Sequence, residues 1–497
     1  MSMSATVLDS VYEIEGTLPA IHDGSLRLSY AEVQRCVASE RRWLQSLGVR
    51  RCALLADNGA RWILSDLALL ACEAVNVPLP PSFTAEQIEH VLGDAGIEWI
   101  LTDRPERFGR DHPQFLYVAR SHQTGLTLLL RNRRPRSPAL PNDIAKVTYT
   151  SGSTGAPKGV CLRWREIQAV TDSLVEAIAG LEVRTHLCIL PLATLLENIA
   201  GVYVPLTLGA KVIALPAEAT GVGYDGLNPK RLFQALDETL PESIIVVPEL
   251  LRALVHGIRS GWRAPASLKF IAVGGGAVSR QLIEHARAAG LPVFQGYGLS
   301  ECASVVCLNT PGCDKPDSVG RPLAHARVRV DENGEICVAG AVMAGYLGSP
   351  ELRGEVRTGD LGEIDSNGFL HVRGRLKSMF ITSMGRNITP EWVESELTSE
   401  PEIALAMVSG EARPHPVALL VASAGADEIS IVAAVARANS RLPDYARVRR
   451  WVSFPETPSL SNGLLTANGR LRREQIAAKH HQLIDSLYDH ENLLYVS

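Results

Sequence analysis

The chain has 497 residues, of which 46% are hydrophobic and 21% charged, and a net charge of −5 at pH 7. That length exceeds what one hydrophobic core serves, and the composition is that of a globular protein of two or more domains. The acidic balance argues against nucleic-acid binding, which needs a basic face, and the basic runs Arg131 to Arg136 and Arg447 to Arg450 read as solvated surface.

Ser29, with Glu32 three residues later, reads as a capping box that opens a helix running to about Leu47 and stopping at Gly48. Cys52 to Ala56 is a short buried strand, Ala60 to Ala74 a helix and Val75 to Leu79 a strand. The most apolar stretch, Trp62 to Pro80, is broken by Asp66 and Glu73, so it reads as core helix plus strand and not as a membrane span. A further helix starts near Thr84 and ends before Gly96, and Trp99 to Thr102 is the next strand. Ile144 to Tyr149, Ala210 to Leu215, Ser243 to Val247 and Leu268 to Val273 are strands; Asn228 to Leu240 and Glu249 to Ser260 are helices. Strands alternating with amphipathic helices predict parallel α/β layers. From Val328 to about Val372, short segments punctuated by Asp331 to Gly334 and Asp365 to Gly368 predict antiparallel β structure. Beyond a boundary near Gly374 to Lys377, helix, strand, strand and helix (Pro390 to Leu397, Ala404 to Ser409, Pro416 to Val421, Ile429 to Ser440) make an α+β unit of roughly 100 residues. The expected organisation is a large N-terminal α/β domain with a β-rich subdomain over 1–374, a hinge at 375–378, a small C-terminal domain over 379–480 and a tail over 481–497.

Nine cysteines are scattered along the chain with no Cys-x-x-Cys pair and no Cys/His metal spacing, which points to buried thiols in a reduced compartment. No basic segment followed by an apolar core stands at the N-terminus, so the expected location is cytoplasmic.

Thr150 to Gly159 carries the strongest chemical signal. Three glycines (Gly152, Gly155, Gly159) let backbone N–H groups approach anionic oxygens; Thr150, Ser151, Ser153 and Thr154 add hydroxyl donors, and Lys158 adds a mobile positive charge. The loop begins at a strand end, where open α/β sheets place ligands. It is not a Walker A loop, because Pro157 precedes the lysine and the Gly-Lys-Ser/Thr order is absent. A second constellation, Gln295 to Glu301, sets Tyr297 between Gly296 and Gly298, which permits close approach of a flat ring, and supplies Glu301 as a hard oxygen ligand. A third, Thr358-Gly359-Asp360, offers a carboxylate able to accept two vicinal hydroxyls. Read alone, the last two are ordinary turns.

Taken in order, these segments resemble the signature motifs of the acyl-adenylate-forming superfamily, and most closely its long-chain acyl-CoA synthetases. The resemblance spans about residues 25 to 475. It implies that Thr150, Ser151, Gly152, Ser153, Thr154, Gly155 and Lys158 grip the phosphates of ATP. By the same resemblance Gly275, Gly276, Ala277, Tyr297, Gly298 and Ser300 border the adenine, Glu301 holds Mg²⁺, and Asp360 and Arg375 bind ribose or phosphate. Lys377 would be the pivot of a mobile C-terminal domain, and Gly385 would approach a pantetheine tunnel. Val246, Gly274, Thr194 and Glu197 would line the acid pocket.

Two positions depart from the family pattern. Thr194 stands where Leu190 to Asn198 would carry a histidine, and Arg470 stands at the C-terminal lysine that bridges carboxylate and α-phosphate. Arginine keeps the charge, but a planar fork is not a point charge. The resemblance implies ATP- and Mg²⁺-dependent activation of a carboxylic acid, fatty or otherwise apolar, with transfer to coenzyme A. Transfer to an acyl carrier protein, an amine or an alcohol stays open, as does a nucleotide- or acyl-binding protein that has lost catalysis through Arg470.

Overall fold

A computed structural model describes residues 7–133, 135, 138–141, 143–150, 157–223, 226–459, 461–465 and 470–488. The helix starts follow the local chemistry. Ser29 and Thr84 each cap their helix through a complete capping box with Glu32 and Gln87, opening Tyr30–Ser46 and Ala85–Asp94. The helix at Ala60–Ala71 ends three residues before the expected Ala74. Glu73 takes a left-handed φ of 57°, and the Ala74 N–H turns back to the Leu69 carbonyl, a Schellman-type stop.

Two large mixed sheets carry most of the chain. The first has eight strands, in the order Gly345–Tyr346, Lys158–Arg163, Ile144–Thr150, Val75–Pro78, Arg51–Leu55, Trp99–Thr102, Thr127–Arg131 and Phe115–Arg120. The second has nine, in the order Arg321–Pro322, Ser304–Leu308, Val293–Leu299, Phe270–Val273, Ser243–Val246, Thr185–Leu187, Lys211–Ile213, Pro19–His22 and Arg27–Ser29. Their centres are parallel, as the alternation predicts. Their margins are antiparallel, because connections such as 121–126 and 151–157 are too short for a crossover helix. Fully buried Tyr30, Trp62 and Tyr203 belong to the largest apolar core.

A four-stranded antiparallel sheet, Ala326–Val330, Glu335–Gly340, Val356–Ile364 and Leu370–Arg375, follows where antiparallel structure was expected. After it, Ile403–Ser409, Val417–Ala422 and Arg450–Ser453 form a separate sheet, with helices Pro390–Leu397 and Glu428–Arg441 sharing its core through Val393, Leu397, Leu420 and Val435.

Arg450 corrects one expectation: it is buried and donates to the Leu487 carbonyl, while Arg449 of the same run is half-buried and pairs with Asp444. All nine cysteines are free, six of them buried. Among the described residues, no helix is long and apolar enough to cross a membrane.

Candidate active site

The parallel strands Ser243–Val246, Phe270–Val273 and Val293–Leu299 end side by side, with Val246 paired to Val273 and Val273 to Gln295. Their carboxyl ends form the rim on which open α/β sheets take ligands. Phe270–Val273 gives way there to the glycine turn. The Gly274 N–H donates to the Val246 carbonyl (3.2 Å), and Gly275 turns the chain at φ 78°. Gly275, Gly276 and Ala277 are exposed at the rim, and Ser279 then caps the helix Arg280–Ala288.

Val293–Leu299 continues past the rim as an antiparallel pair with Ser304–Leu308. Only glycine fits at 298, where a β-carbon would stand 1.7 Å from the Ser304 carbonyl oxygen. Half-buried Tyr297 donates its phenol to Asp360 Oδ2 at 2.7 Å. Asp360 Oδ1 pairs with Arg375 Nε at 2.8 Å, across the strand pair that sets these two residues opposite each other. Burial pushes the Asp360 carboxyl above its ordinary value, and Arg375 and Tyr297 pull it back in part. Burial and the Asp360 charge raise the Tyr297 phenol, so it remains a donor.

Ser300 and Glu301 lie in a single 3₁₀ turn, Ser300–Cys302. Tyr346 donates to Glu301 Oε1 at 2.9 Å, and Lys158 Nζ stands 5.6 Å from the centre of the Tyr346 ring. Tyr346 is placed there because Gly345–Tyr346 pairs with the strand Lys158–Arg163. The sequence reading gave Tyr346 no role; its signal was only the Gly345-Tyr346 dipeptide between two stronger motifs. Thr150 and Lys158 face each other in register at the two ends of the glycine-rich loop. Ser151, Gly152, Ser153, Thr154 and Gly155 lie outside the described residues.

Lys377 is exposed in the turn that follows Arg375. The turn is tied to both sides. Leu376 N–H donates to the Gly359 carbonyl (2.8 Å), and a β-carbon at Gly374 would lie 2.6 Å from Thr389 Cβ. Arg470 reaches the rim from the far side of that turn. Its Nη2 donates to the Gly275 carbonyl at 2.9 Å, within electrostatic reach of Arg375, Asp360, Glu391 and Glu301. Ser399 Oγ donates to Gln281 Oε1 (2.9 Å), a second contact between the same two parts of the chain.

Three further residues were expected at the acid pocket. Thr194 is half-buried and donates its hydroxyl to the Pro191 carbonyl at 2.6 Å. Val246 is buried in its strand. Glu197 is wholly buried: Oε1 faces His186 Nε2 at 3.2 Å, Oε2 accepts the Leu190 N–H at 3.1 Å, and burial pushes the carboxyl up. An apolar run hid this, because Glu197 is the one acid between Leu187 and Ala217. His186, Cys188 and Glu197 present ligand-type atoms within 4.8 Å of one another, a grouping that spacing alone did not suggest. Each of these atoms already has a protein partner, Ser243 Oγ for His186 Nδ1 and the Gly201 carbonyl for Cys188, so the group closes as a hydrogen-bonded set.

Residues 13–347 match the model of the AMP-binding enzyme family, and residues 377–492 that of the AMP-binding enzyme C-terminal domain. A long-chain-fatty-acid–CoA ligase of Mycobacterium bovis is 27% identical, over 90% of this chain and 90% of that one. A feruloyl-CoA synthase of an Amycolatopsis species is 29% identical, over 80% and 83%. Among solved structures, the o-succinylbenzoate CoA synthetase of Bacillus subtilis in complex with its acyl-adenylate intermediate superposes with a TM-score of 0.76. Its identity is 23%, and 96% of this chain and 98% of that one are covered. The fold, the order of the motifs and the family match over most of the chain agree: this protein belongs to the AMP-binding enzyme family and is an adenylate-forming enzyme of the acyl-CoA synthetase type.

Proposed function

We propose that the protein activates an apolar-bodied carboxylic acid, fatty or aromatic, with ATP and passes the acyl group to coenzyme A. The observation that supports this reading most is the hydrogen bond from Arg470 to the Gly275 carbonyl, beside Tyr297, Asp360 and Glu301. It gathers at one rim a cation, a flat ring between glycines, and a paired carboxylate. That donor set fits a Mg-nucleotide: the ring offers a face to a base, Asp360 can accept from ribose hydroxyls, and Glu301 is a hard oxygen ligand. When bound by Glu301, Mg²⁺ would neutralise triphosphate charge.

The residues then divide the work. Thr150 and Lys158, at the two ends of the loop, hold the β- and γ-phosphates, and Tyr297 and Asp360 fix the nucleoside. Arg375 pairs with Asp360 and offsets part of the cost of burying its charge. Arg470 stands where a cation can meet both the acid carboxylate and the α-phosphate. The carboxylate oxygen attacks the α-phosphorus and pyrophosphate leaves. A carboxylate is a weak nucleophile, so the rate comes from alignment and charge neutralisation. The C-terminal part then turns about Lys377, withdraws Arg470, and admits the thiol. The thiol sulfur bonds to the acyl carbon, AMP leaves, and the thiol proton passes to solvent.

The substrate class rests on the relatives, named for a long-chain fatty acid, ferulate and o-succinylbenzoate. An alkyl chain or an aromatic ring is common to those acids, although o-succinylbenzoate carries a second carboxylate and a ketone as well. The apolar residues Leu192, Leu195, Ile199 and Val202 follow the Leu187 strand end and suit that apolar part. The test is pyrophosphate release across a panel of carboxylic acids, with product analysis in the presence and absence of coenzyme A. Acid-dependent release with an acyl-CoA product is expected. Release that yields an amide, an ester or an acylated carrier protein instead would overturn the acceptor.

A further inference from the structure

The acid-side segment from Leu190 to Tyr203 is anchored on two flanks by buried polar groups that the reaction described above does not use. It ends in a π-helical turn, Glu197–Tyr203. Two consecutive residues of that turn go to opposite sheets. Glu197 reaches His186, on the strand Thr185–Leu187 of the nine-stranded sheet, and His186 in turn meets Ser243 Oγ on the next strand at 2.8 Å. The other Glu197 oxygen accepts the Leu190 N–H and so closes the turn that carries Thr194.

Asn198 faces the eight-stranded sheet. Its Nδ2 donates to Asp66 Oδ2 at 2.9 Å, and its Oδ1 accepts from Lys146 Nζ. Tyr203, five residues on, donates to the same Asp66 oxygen (2.6 Å) and accepts from Lys146 (3.2 Å). Lys146 pairs directly with Asp66 Oδ1 at 2.8 Å. The i to i+5 spacing of a π-helix is what sets Asn198 and Tyr203 on one face. Gly201 lets the other face close, since a β-carbon there would stand 2.3 Å from Glu197 Oε1 and 2.9 Å from His186 Nε2. Asp66, Lys146 and Asn198 are 2%, 3% and 1% exposed, so the group is sealed in the core. A buried ion pair adds little net stability over apolar side chains, yet it fixes position, because leaving either member unpaired is costly.

Lys146 lies on the strand that leads into the phosphate loop, four residues before Thr150. Thr185–Leu187 lies in the sheet whose strand ends carry Gly274 and Tyr297. We propose that Glu197 and Asn198 are positioning residues that hold the acid-side segment in fixed register with both the phosphate loop and the nucleoside rim. Neither touches the reacting atoms; they act through the Leu190–Leu196 turn. The inference rests on the adenylation reading above. Loosening either tie lets the acid move relative to the α-phosphorus, and a shift of ~1 Å costs on the order of 100-fold in rate.

The experiment is acid-dependent ATP–pyrophosphate exchange with dodecanoate, ferulate, 2-succinylbenzoate and benzoate. It compares wild type with Glu197→Ala, Asn198→Ala and Glu197→Gln. The readout is the ratio of specificity constants for the two acids that wild type exchanges fastest. That ratio does not depend on the fraction of folded enzyme. Both alanine variants are expected to shift it by on the order of tenfold and to lower the rate with the better acid. Glu197→Gln can still accept from Leu190 and donate to His186, so it should restore the wild-type ratio. Alanine variants that slow both acids in equal proportion would show a merely structural role and overturn the inference. If the alanine variants do not fold, Asn198→Ser and His186→Gln, which loosen one tie each, are scored on the same ratio. Wild type that exchanges with none of the acids would overturn the adenylation reading itself, and this inference with it.

Discussion

Asp360 is held by two unlike partners, the Tyr297 phenol and the Arg375 guanidinium. Removing the phenol leaves the ion pair in place. Tyr297→Phe is therefore expected to raise the KM for ATP about five- to tenfold, the worth of one hydrogen bond of ~1 kcal/mol. Steady-state exchange at varied ATP checks it. His325 makes a separate prediction about stability. Its Nε2–H donates to the Val305 carbonyl, its Nδ1 is buried with no hydrogen-bond partner among the described residues, and burial lowers its pKa from 6.5 to about 4. Below pH 6.5 the unfolded chain takes up a proton that the folded chain refuses until about pH 4. The His325 contribution is thus complete above pH 6.5 and is lost as the pH falls through that window. Urea unfolding at pH 7 and pH 5 should show wild type losing up to about 2 kcal/mol more than His325→Gln; equal losses would contradict this.

At the scale of elements, glycines separate steric need from conformational need. Gly298 has no room for a β-carbon, whereas Gly385 has open space but a φ of 72°. Gly298→Ala should cost about 3 kcal/mol or more through overpacking, and Gly385→Ala about 1 kcal/mol through backbone strain alone; thermal melts of the two variants distinguish the mechanisms. The same division explains what the sequence made legible. The capping box at Ser29 was readable because donor and acceptor lie three residues apart; at Thr84 only the helix start was read, and the structure adds its capping box with Gln87. The central parallel strands were readable from their alternation with helices. The antiparallel margins were not, since pairing is settled by a partner elsewhere in the chain. The π-helical turn at Glu197 was hidden in a run of apolar residues with no period of its own. The Asp66–Lys146–Asn198 group joins residues 80 and 132 positions apart, and no local pattern announces it. At the rim, Tyr297, Glu301 and Asp360 were singled out because each sits in a motif, and Lys158 because it closes the glycine-rich loop; Tyr346, which lies between Lys158 and Glu301, was given no role.

At the scale of the molecule, the bonds between the C-terminal part and the rest among the described residues include Arg470 to Gly275 and Ser399 to Gln281. Both must break if that part turns about Lys377 to admit a thiol. Lys377→Pro restricts the backbone where the turn would pivot, so it should lower thioester formation more than pyrophosphate exchange. Rapid-quench measurement of the two half-reactions checks the difference. In the proposed mechanism, Arg470 is the residue on which adenylation depends. The most direct measurement is acid-dependent pyrophosphate exchange in wild type, Arg470→Lys and Arg470→Ala, using the best acid from the panel. Exchange in wild type that falls 100- to 1,000-fold in Arg470→Ala, on the order seen when one transition-state donor is removed, is the predicted result. No exchange in wild type with any acid, together with a gain in Arg470→Lys, would contradict it.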